Sequence, residues 1–350
     1  MHSLIQTYGR TLTAVIWLLA AIWVLGLIVI PQLFMVEQSL WWKERGGAEV
    51  EISTRIDKLY NQVATWEYDL GTLTEADAER RAELEARIAA AKAEITELEN
   101  MEIEPPKQYG LRNYTRMSAL HFKIFVKTIG YAALVTLLAL IVCYPVAYTV
   151  AQLATPNKAA LLMLGLIVPY AINELLRVYA WLMILDYQGV INSFLAWLGM
   201  VDLENKGWIP FLEYPGSVFV ALVYAYVLFM VFPMYNTIET LDKNQIEAAR
   251  DLGAPTWRIH ARVVIPHAKP GIAVGCIMTF MLSAGSYSVP QVMTRGKSGD
   301  WFSQLIYRQF FESFNWNQGA AYSFSLLLVC IIFIFVTMAV FRVGIRDIAK

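Results

Sequence analysis

Residues 129–151 read IGYAALVTLLALIVCYPVAYTVA, a run of 23 residues without one charged side chain. A helix needs roughly 20 apolar residues to cross the hydrocarbon core of a bilayer. Five further apolar runs are separated from it and from one another by polar segments, at about 11–30, 159–185, 215–237, 271–293 and 321–341. These runs predict an all-α, polytopic membrane protein with six transmembrane helices and both termini on one side.

The composition of the chain supports a lipid environment. Hydrophobic residues make up 57% of the 350 residues and charged residues only 16%, whereas an average soluble chain carries roughly 25% charged residues. This balance excludes a soluble enzyme, and a net charge of −1 gives no basic field for binding nucleic acid. The three cysteines lie inside apolar runs and the four histidines have no metal-ligand spacing, so neither a metal site nor a cofactor is expected.

The first apolar run allows two interpretations. A cleavable signal peptide would explain why Arg10 precedes it. However, the run is long for such a peptide, and no small-residue cleavage site follows it. We therefore predict that residues 1–36 hold a retained N-terminal transmembrane helix.

The distribution of positive charge predicts the orientation in the membrane. The segment 238–269 holds five basic residues and the tail after Phe341 holds three, and both lie on the side of the N-terminus. Because cytoplasmic loops carry an excess of Lys and Arg, this favours cytoplasmic termini in a bacterial inner membrane. Arg116, Lys123 and Lys127 precede the second run on the opposite side and count against this assignment.

Residues 37–113 form a long polar insert between the first two runs. They hold 17 acidic and 10 basic side chains, a charge of −7, which leaves +6 for the rest of the chain. Two series of apolar residues recur in it at alternating spacings of four and three: Ile52, Ile56, Leu59, Val63, Trp66 and Leu70, then Leu84, Ile88, Ala91, Ile95 and Leu98. Each series puts one apolar stripe on a helix, which predicts a periplasmic, antiparallel coiled-coil hairpin.

Turn-forming residues mark the ends of this hairpin. Gly71 is a natural end for the first helix, and Thr74 with Asp77 resembles a capping box for the second. Pro105 and Pro106 then stop the second helix. The insert is either a solvated decoration or a docking site for a partner outside the cytoplasm, and the sequence leaves both interpretations open.

Residues 244–271, between the fourth and fifth runs, read NQIEAARDLGAPTWRIHARVVIPHAKPG. Asn244 can cap a short helix, with Glu247 at the capping-box position. Gly253 can end that helix, and Pro255 can begin a second one that Pro266 stops. The pattern predicts a compact helix–turn–helix on the cytoplasmic side, whose first helix has a small apolar face formed by Ile246, Ala249 and Leu252.

This loop resembles the EAA loop of binding-protein-dependent ABC importer permeases, which have a MetI-like transmembrane domain. The matching residues are Glu247, Ala248, Ala249, Leu252 and Gly253, followed by Val264, Ile265 and Pro266. The resemblance implies an EAA loop at 243–268 inside a permease domain at 114–345. It also implies that Glu247 and its neighbours couple the permease to a separate ATPase, so the chain is a transport subunit and not an enzyme.

Within that family the chain looks most like the spermidine/putrescine permease group. The residues that carry this resemblance are Tyr114, Tyr144-Pro145, Arg177-Val178-Tyr179-Ala180-Trp181, Gly189, Asn192 and the stretches 241–254 and 315–321. It implies import of a polyamine with two ATPase copies, a second homologous permease and a periplasmic solute-binding protein. Another small solute, such as an amino-acid-like zwitterion, a phosphonate or thiamine, is the alternative. Many members of the group carry an acid near the position of Ser286, and this chain does not.

Several residues in or near the runs are candidates for the translocation path. Ionisable residues inside a membrane are costly, so Glu174 and Arg177 either pair with each other or face the path. Aromatic rings could bind a cation or anchor the protein at the interface. The candidate residues are Glu174, Arg177, Tyr179, Trp181, Ser286 and Tyr287.

Two other classes of protein fit the sequence less well. A membrane sensor with the hairpin as its input domain predicts a cytoplasmic output domain, and only nine residues follow Phe341. A secondary transporter predicts several intramembrane acids, and Glu174 is the one good candidate.

Overall fold

The computed structural model describes residues 2–43, 47–72, 78–101, 107–203, 207–294 and 301–344. Two compact units share the chain: one holds residues 1–39 and 116–350, and the other holds residues 40–115. Here they are called the bundle unit and the insert unit. The positions of Thr74, Asp77, Pro105 and Pro106, which sequence analysis assigned to helix ends, lie outside the described residues.

The described part of the chain is almost entirely helical. In chain order its helices are α1 (His2–Val24), α2 (Ile30–Ser39), α3 (Gly47–Thr72), α4 (Ala78–Met101), α5 (Arg112–Thr115), α6 (Ala119–Tyr148), α7 (Pro156–Ile167), α8 (Glu174–Leu185), α9 (Val190–Trp197), α10 (Pro215–Glu239), α11 (Lys243–Asp251), α12 (Thr256–Ile259), α13 (Ile265–Gly285), α14 (Ser288–Thr294), α15 (Phe302–Phe311) and α16 (Trp316–Phe341). Two short strands, β1 (Trp41–Lys43) and β2 (Lys107–Tyr109), pair in antiparallel fashion. Single π-helical turns follow α1, α6 and α12 at Leu25–Val29, Thr149–Leu153 and His260–Val264.

Five continuous helical segments are long and apolar enough to cross a membrane: Gly9–Ser39, Ala119–Leu153, Pro215–Glu239, Thr256–Gly285 and Trp316–Phe341. Two further apolar segments, Pro156–Ala171 and Glu174–Trp197, are bent by 98° at their junction, and counted together as one broken span they bring the number of crossings to six. The prediction of an all-α, multi-pass membrane protein is therefore confirmed.

The third predicted run, 159–185, forms a broken helix instead of one continuous span. Pro169 lies in a 3₁₀ turn at its centre, and Ile172 is extended (φ −81°, ψ 140°). Asn173 then starts α8 by accepting a hydrogen bond from the Leu175 N–H at 2.9 Å. A proline with an N-capping residue four positions later breaks the helix, although the run as a whole is apolar enough to span a membrane.

The core of the bundle unit is formed by α6, α10 and α13. Small residues of α6, among them Ala139 and Ala147, pack against Met230 and Met234 of α10, and all four are fully buried. Gly271 of α13 lies against the backbone of α10, where a Cβ would overlap the Pro233 carbonyl oxygen. Close helix approach through small residues is typical of membrane bundles.

The first crossing contacts the bundle mainly through α16. The Asn317 side chain donates a hydrogen bond to the Gln38 carbonyl oxygen at 2.9 Å. Most other large side chains of this segment are exposed, including Leu18, Leu27 and Phe34. Such an extensive apolar surface suits contact with lipid.

In the insert unit, α3 and α4 form an antiparallel hairpin. The predicted apolar stripes meet in one buried seam of Leu59, Val63, Ile88, Ala91 and Ile95, flanked by Trp66, Leu70 and Leu98. Burial of these apolar side chains stabilises the helix pair. The ion pairs between the two helices, such as Arg55–Glu94 and Lys92–Glu67, are exposed to solvent and contribute little.

Polar contacts along the hairpin confirm that its helices are antiparallel. Tyr60 donates to Glu99 at 2.9 Å, and Glu67, further along α3, pairs with Lys92, which lies earlier in α4. The Glu99 carboxylate raises the pKa of the Tyr60 hydroxyl, because it accepts that hydrogen bond and repels the phenolate. The first helix extends to Thr72, one residue beyond the predicted end at Gly71.

The strand pair was not predicted from the sequence. Trp41 pairs with Tyr109 and Lys43 with Lys107, so the two ends of the insert lie side by side. The Asn113 side chain donates to the Trp41 carbonyl oxygen at 2.9 Å, and Lys107 lies 4.5 Å from the centre of the Trp41 ring. Three-residue strands leave no alternating pattern long enough to read from sequence.

Candidate coupling loop and transport path

The loop between α10 and α13, residues 243–268, is here called the coupling loop. Its first helix, α11, is capped by Asp242, whose carboxylate accepts a hydrogen bond from the Asn244 N–H at 3.0 Å. The predicted cap at Asn244 is therefore wrong, since that residue already lies inside the helix. Gly253 has φ +75°, so the predicted left-handed end of this helix is confirmed.

The second half of the coupling loop runs directly into the fifth crossing. The prediction that Pro266 stops a separate helix is wrong: α12, the π-helical turn His260–Val264 and α13 are continuous. In the π-helical turn the Ile265 N–H bonds to the His260 carbonyl oxygen, one residue further back than in an α-helix. Pro266 follows this turn directly, and a local π-helical adjustment of this kind lets a helix accommodate a proline that has no N–H to donate.

The coupling loop has one apolar side that faces the bundle. Ile246 and Ile259 are buried in the core, and Ala249 packs against it. Leu252 points the other way and is 88% exposed, so the predicted apolar face of Ile246, Ala249 and Leu252 is wrong for Leu252.

The opposite side of the coupling loop carries exposed apolar and charged groups together. Trp257 is exposed on this side, like Leu252, with 67% of its surface accessible. The Arg258 guanidinium lies 5.4 Å from the centre of the Trp257 ring. Glu247 and Ala248 are also exposed. Large apolar side chains are exposed in this way where a partner protein docks.

The C-terminal end of α6, with the π-helical turn after it, makes two sets of contacts near the coupling loop, one within the loop and one just before its start. Tyr144 and the His260 Nδ1 lie 2.7 Å apart in a hydrogen bond, and the Tyr148 ring meets the His260 ring edge to face at 4.5 Å. The Gln152 side chain donates to the carbonyl oxygens of Ile238 and Leu241, at 2.6 and 3.2 Å. Sequence reasoning missed these contacts; the spacing of four residues between Tyr144, Tyr148 and Gln152 was the available signal.

Glu174 and Arg177 lie at the break in the third crossing, but each has its own partner. The Ser288 hydroxyl donates to the Glu174 carboxylate at 2.5 Å. The Arg177 guanidinium lies over the Tyr170 ring, 4.4 Å from its centre. The mutual ion pair, which was the alternative interpretation of these residues, is therefore wrong.

Ser286 is buried near this break, at the end of α13. Its carbonyl oxygen accepts a hydrogen bond from Ser303 at 2.6 Å. The Ser286 hydroxyl oxygen is buried without a hydrogen-bond partner among the described residues, and Tyr226 lies close enough to Glu174 and Arg177 for their charges to act on it. Glu174, Arg177 and Ser286 thus form one polar cluster with Tyr170 and Tyr226.

The three aromatic candidates lie in different surroundings. Trp181 is partly buried and meets Tyr224 edge to face at 5.5 Å. Tyr287 stacks on Tyr307 at 4.7 Å, and Tyr179 is about half exposed. The structure therefore does not bring these rings together as one cation-binding cage.

A cavity of about 830 Å³ lies between α10 and α13. Tyr170 lines it near the polar cluster, and Thr240 and His267 line it at the coupling loop, where their side chains are joined by a 3.0 Å hydrogen bond. The cavity thus connects the broken crossing with the coupling loop. Among the residues that the structure describes, no group of three His, Cys, Asp or Glu side chains could hold a metal ion.

Comparison with known proteins agrees with this arrangement of spans and loop. Residues 145–349 match the model of the family described as binding-protein-dependent transport system inner membrane component. The chain belongs to this family. It is a permease subunit of an ABC importer and a multi-pass inner-membrane protein, so the predicted family, transport role and membrane location are confirmed.

Two permeases of known sequence and one solved transporter structure are similar to this chain. The spermidine/putrescine transport system permease protein PotB of Escherichia coli strain K12 is 37% identical over 223 residues, which cover 63% of this chain and 78% of that protein. PotB of Haemophilus influenzae is 30% identical over 65% of this chain and 77% of that protein. The crystal structure of a bacterial alginate ABC transporter in complex with an alginate pentasaccharide-bound periplasmic protein gives a TM-score of 0.54 at 16% identity, over 67% of this chain and 85% of the matched chain. That likeness concerns the fold alone.

Proposed function

We propose that this permease carries a polyamine such as spermidine or putrescine from the periplasm to the cytoplasm. The observation that carries the proposal is the 37% identity to a spermidine/putrescine permease over 223 residues, 63% of this chain. The Glu174 carboxylate supports it, because a fixed negative charge beside the broken crossing can meet an ammonium group as the solute passes. Tyr170 and Tyr226, in the same cluster, offer aromatic faces to a cation.

The coupling loop is proposed to dock on a separate ATPase subunit. Leu252 and Trp257 supply an exposed apolar patch for that contact, and Glu247 supplies a charge that pairs with a basic residue of the ATPase. Two ATPase copies, a second homologous permease and a periplasmic solute-binding protein complete the transporter. ATP-driven closure of the ATPases then moves the coupling loop and switches the bundle between its inward- and outward-facing states.

The basic residues set the proposed orientation. Lys243, Arg250 and Arg258 lie in the coupling loop, so this loop and both termini face the cytoplasm. The insert unit follows the first crossing and is therefore placed in the periplasm.

One observation favours a second class of solute. The Nε and Nη1 atoms of Arg177 are buried without a hydrogen-bond partner among the described residues. A buried guanidinium binds a carboxylate well. With Glu174 in the same cluster, a zwitterionic solute such as an amino acid is the alternative cargo.

Reconstitution tests the two solute classes directly. The permease, its partner permease, the ATPase and the binding protein are assembled in liposomes, and ATP-dependent uptake of radiolabelled spermidine is measured with competing unlabelled solutes. A polyamine importer shows uptake that excess putrescine suppresses and that neutral or zwitterionic amino acids leave unchanged. Suppression by an amino acid, together with no spermidine uptake, would overturn the polyamine assignment.

A further inference from the structure

We infer that the cytoplasmic end of α6 clamps both ends of the coupling loop, so that the loop and α6 move as one body when an ATPase pulls on the loop. Tyr144, Gln152 and His260 are the positioning residues of this clamp. That a force acts on the loop rests on the proposed function, in which an ATPase docks there. The rigid connection itself rests on contacts within the bundle unit.

The first end of the clamp holds the start of the coupling loop. The last carbonyl groups of a helix lack partners inside that helix. At the end of α10, the Gln152 amide group donates to the carbonyl oxygens of both Ile238 and Leu241. Two carbonyl acceptors require that the NH₂ side of the amide faces them, because a carbonyl oxygen cannot donate. Gln152 is buried, so water does not readily replace these bonds.

The second end of the clamp holds the point where the coupling loop becomes the fifth crossing. His260 begins the π-helical turn, and its ring lies against Tyr144 through a hydrogen bond and against Tyr148 through an edge-to-face contact. Tyr144, Tyr148 and Gln152 are four residues apart and lie on successive turns of α6 and of the π-helical turn that continues it, so one face of this segment reaches both ends of the loop. A force on the loop therefore reaches α6 through two polar contacts as well as through packing.

Two of the three π-helical turns, those that follow α6 and α12, indicate where the bundle can bend. Thr149–Leu153 contains Gln152, and His260–Val264 contains the partner of Tyr144. Because π-helical turns interrupt the regular hydrogen-bond ladder, they are natural points of bending in long helices. A clamp residue holds each of these turns in place. A movement of the coupling loop therefore bends the membrane-crossing helices and does not deform the loop itself.

Distances between spin labels test the rigid connection without any solute. The labels are placed on Gln245→Cys in α11 and Leu153→Cys beside Gln152, two exposed positions; the three native cysteines are buried. Double electron–electron resonance is then recorded on the assembled transporter with and without trapped ATP. A single distance that is the same in both states is expected. A shift of about one helical turn, ~5 Å, between the two states of the wild-type protein would overturn the inference.

Tyr144→Phe tests the hydrogen bond and keeps the ring. The expected result is about a two- to ten-fold rise in ATP hydrolysed per spermidine imported, the range set by the net strength of one hydrogen bond. Gln152→Leu should act in the same direction. Both variants should also broaden the distribution of distances between the two spin labels. A general loss of stability, without loss of the clamp, does not produce this effect.

Tyr322→Phe is the matched control. It removes a tyrosine–histidine hydrogen bond of the same 2.7 Å length, between Tyr322 and His121 at the other end of α6. This control should leave the ATP-to-solute ratio unchanged. An equal rise in Tyr322→Phe, or a wild-type ratio in Tyr144→Phe, would show that the clamp does not transmit force. If the wild-type protein imports no spermidine, the proposed solute fails, and the spin-label distances still decide the clamp.

Discussion

Replacing Gly271 by alanine should loosen the contact between α10 and α13. A Cβ at this position overlaps the Pro233 carbonyl oxygen and the Thr237 hydroxyl oxygen. The carbonyl belongs to the helix backbone and cannot rotate away, so the two helices must separate. Overpacking of this kind costs about 1–3 kcal/mol, and the better helix propensity of alanine returns up to about 1 kcal/mol. A net loss of about 1–2 kcal/mol is expected.

The assay is the thermal stability of the purified protein in detergent, followed as the loss of the monodisperse peak after heating. Each kcal/mol corresponds to a fall of about 2–4 °C in the melting temperature of a mid-sized domain. Gly130→Ala, in the middle of α6, is the control, because a Cβ there has no neighbour within 4 Å. Its stability should be unchanged or higher. The argument from close helix packing is refuted if Gly271→Ala has the same melting temperature as the wild type, or if both variants lose the same stability.

Three other changes test the coupling loop, the polar cluster and the insert unit. Glu247→Lys reverses an exposed charge where the ATPase is proposed to dock, so ATP-driven uptake should be lost while the protein still reaches the membrane; normal uptake would remove the coupling role. Glu174→Gln keeps the side-chain size and removes the charge, so uptake of cationic but not neutral solutes should weaken in a competition assay, and equal uptake of both would contradict a role in the path. Replacing residues 50–100 by a short Gly/Ser bridge should leave the crossings intact, because β1 and β2 still hold the ends of the insert together; loss of membrane insertion would show that the hairpin is needed for folding.

Local patterns explain which features could be predicted. The apolar stripes of the hairpin follow from spacings of three and four residues, and their members Leu59, Val63, Ile88 and Ile95 are buried in the seam. Gly253 could be assigned to a left-handed helix end because glycine alone adopts that conformation at low cost. In both cases the feature that was predicted is itself local: an apolar stripe along one helix, or the backbone conformation of one residue.

Predictions failed where two residues compete for the same local role or where a helix changes register. Asp242 and Asn244 are both good capping residues, and only the backbone shows that the helix begins at Lys243. Pro266 is a reasonable helix stop in an α-helical register, but the π-helical turn before it moves that register by one residue. Of the two interpretations left open for Glu174 and Arg177, the mutual ion pair was wrong, because Glu174 bonds to Ser288, 114 residues away in the chain.

By itself, the amino-acid sequence determined the membrane-spanning character, the helical hairpin and the permease family, since each depends on hydrophobic periodicity or on a motif of fixed spacing. The tertiary structure alone decided that the third crossing is broken and that Glu174 and Arg177 have separate partners. It also decided that Tyr144 meets His260, 116 residues away. The physical reason is that a side chain's partner is set by which helices pack together, and that choice depends on contacts across the bundle that no local spacing encodes.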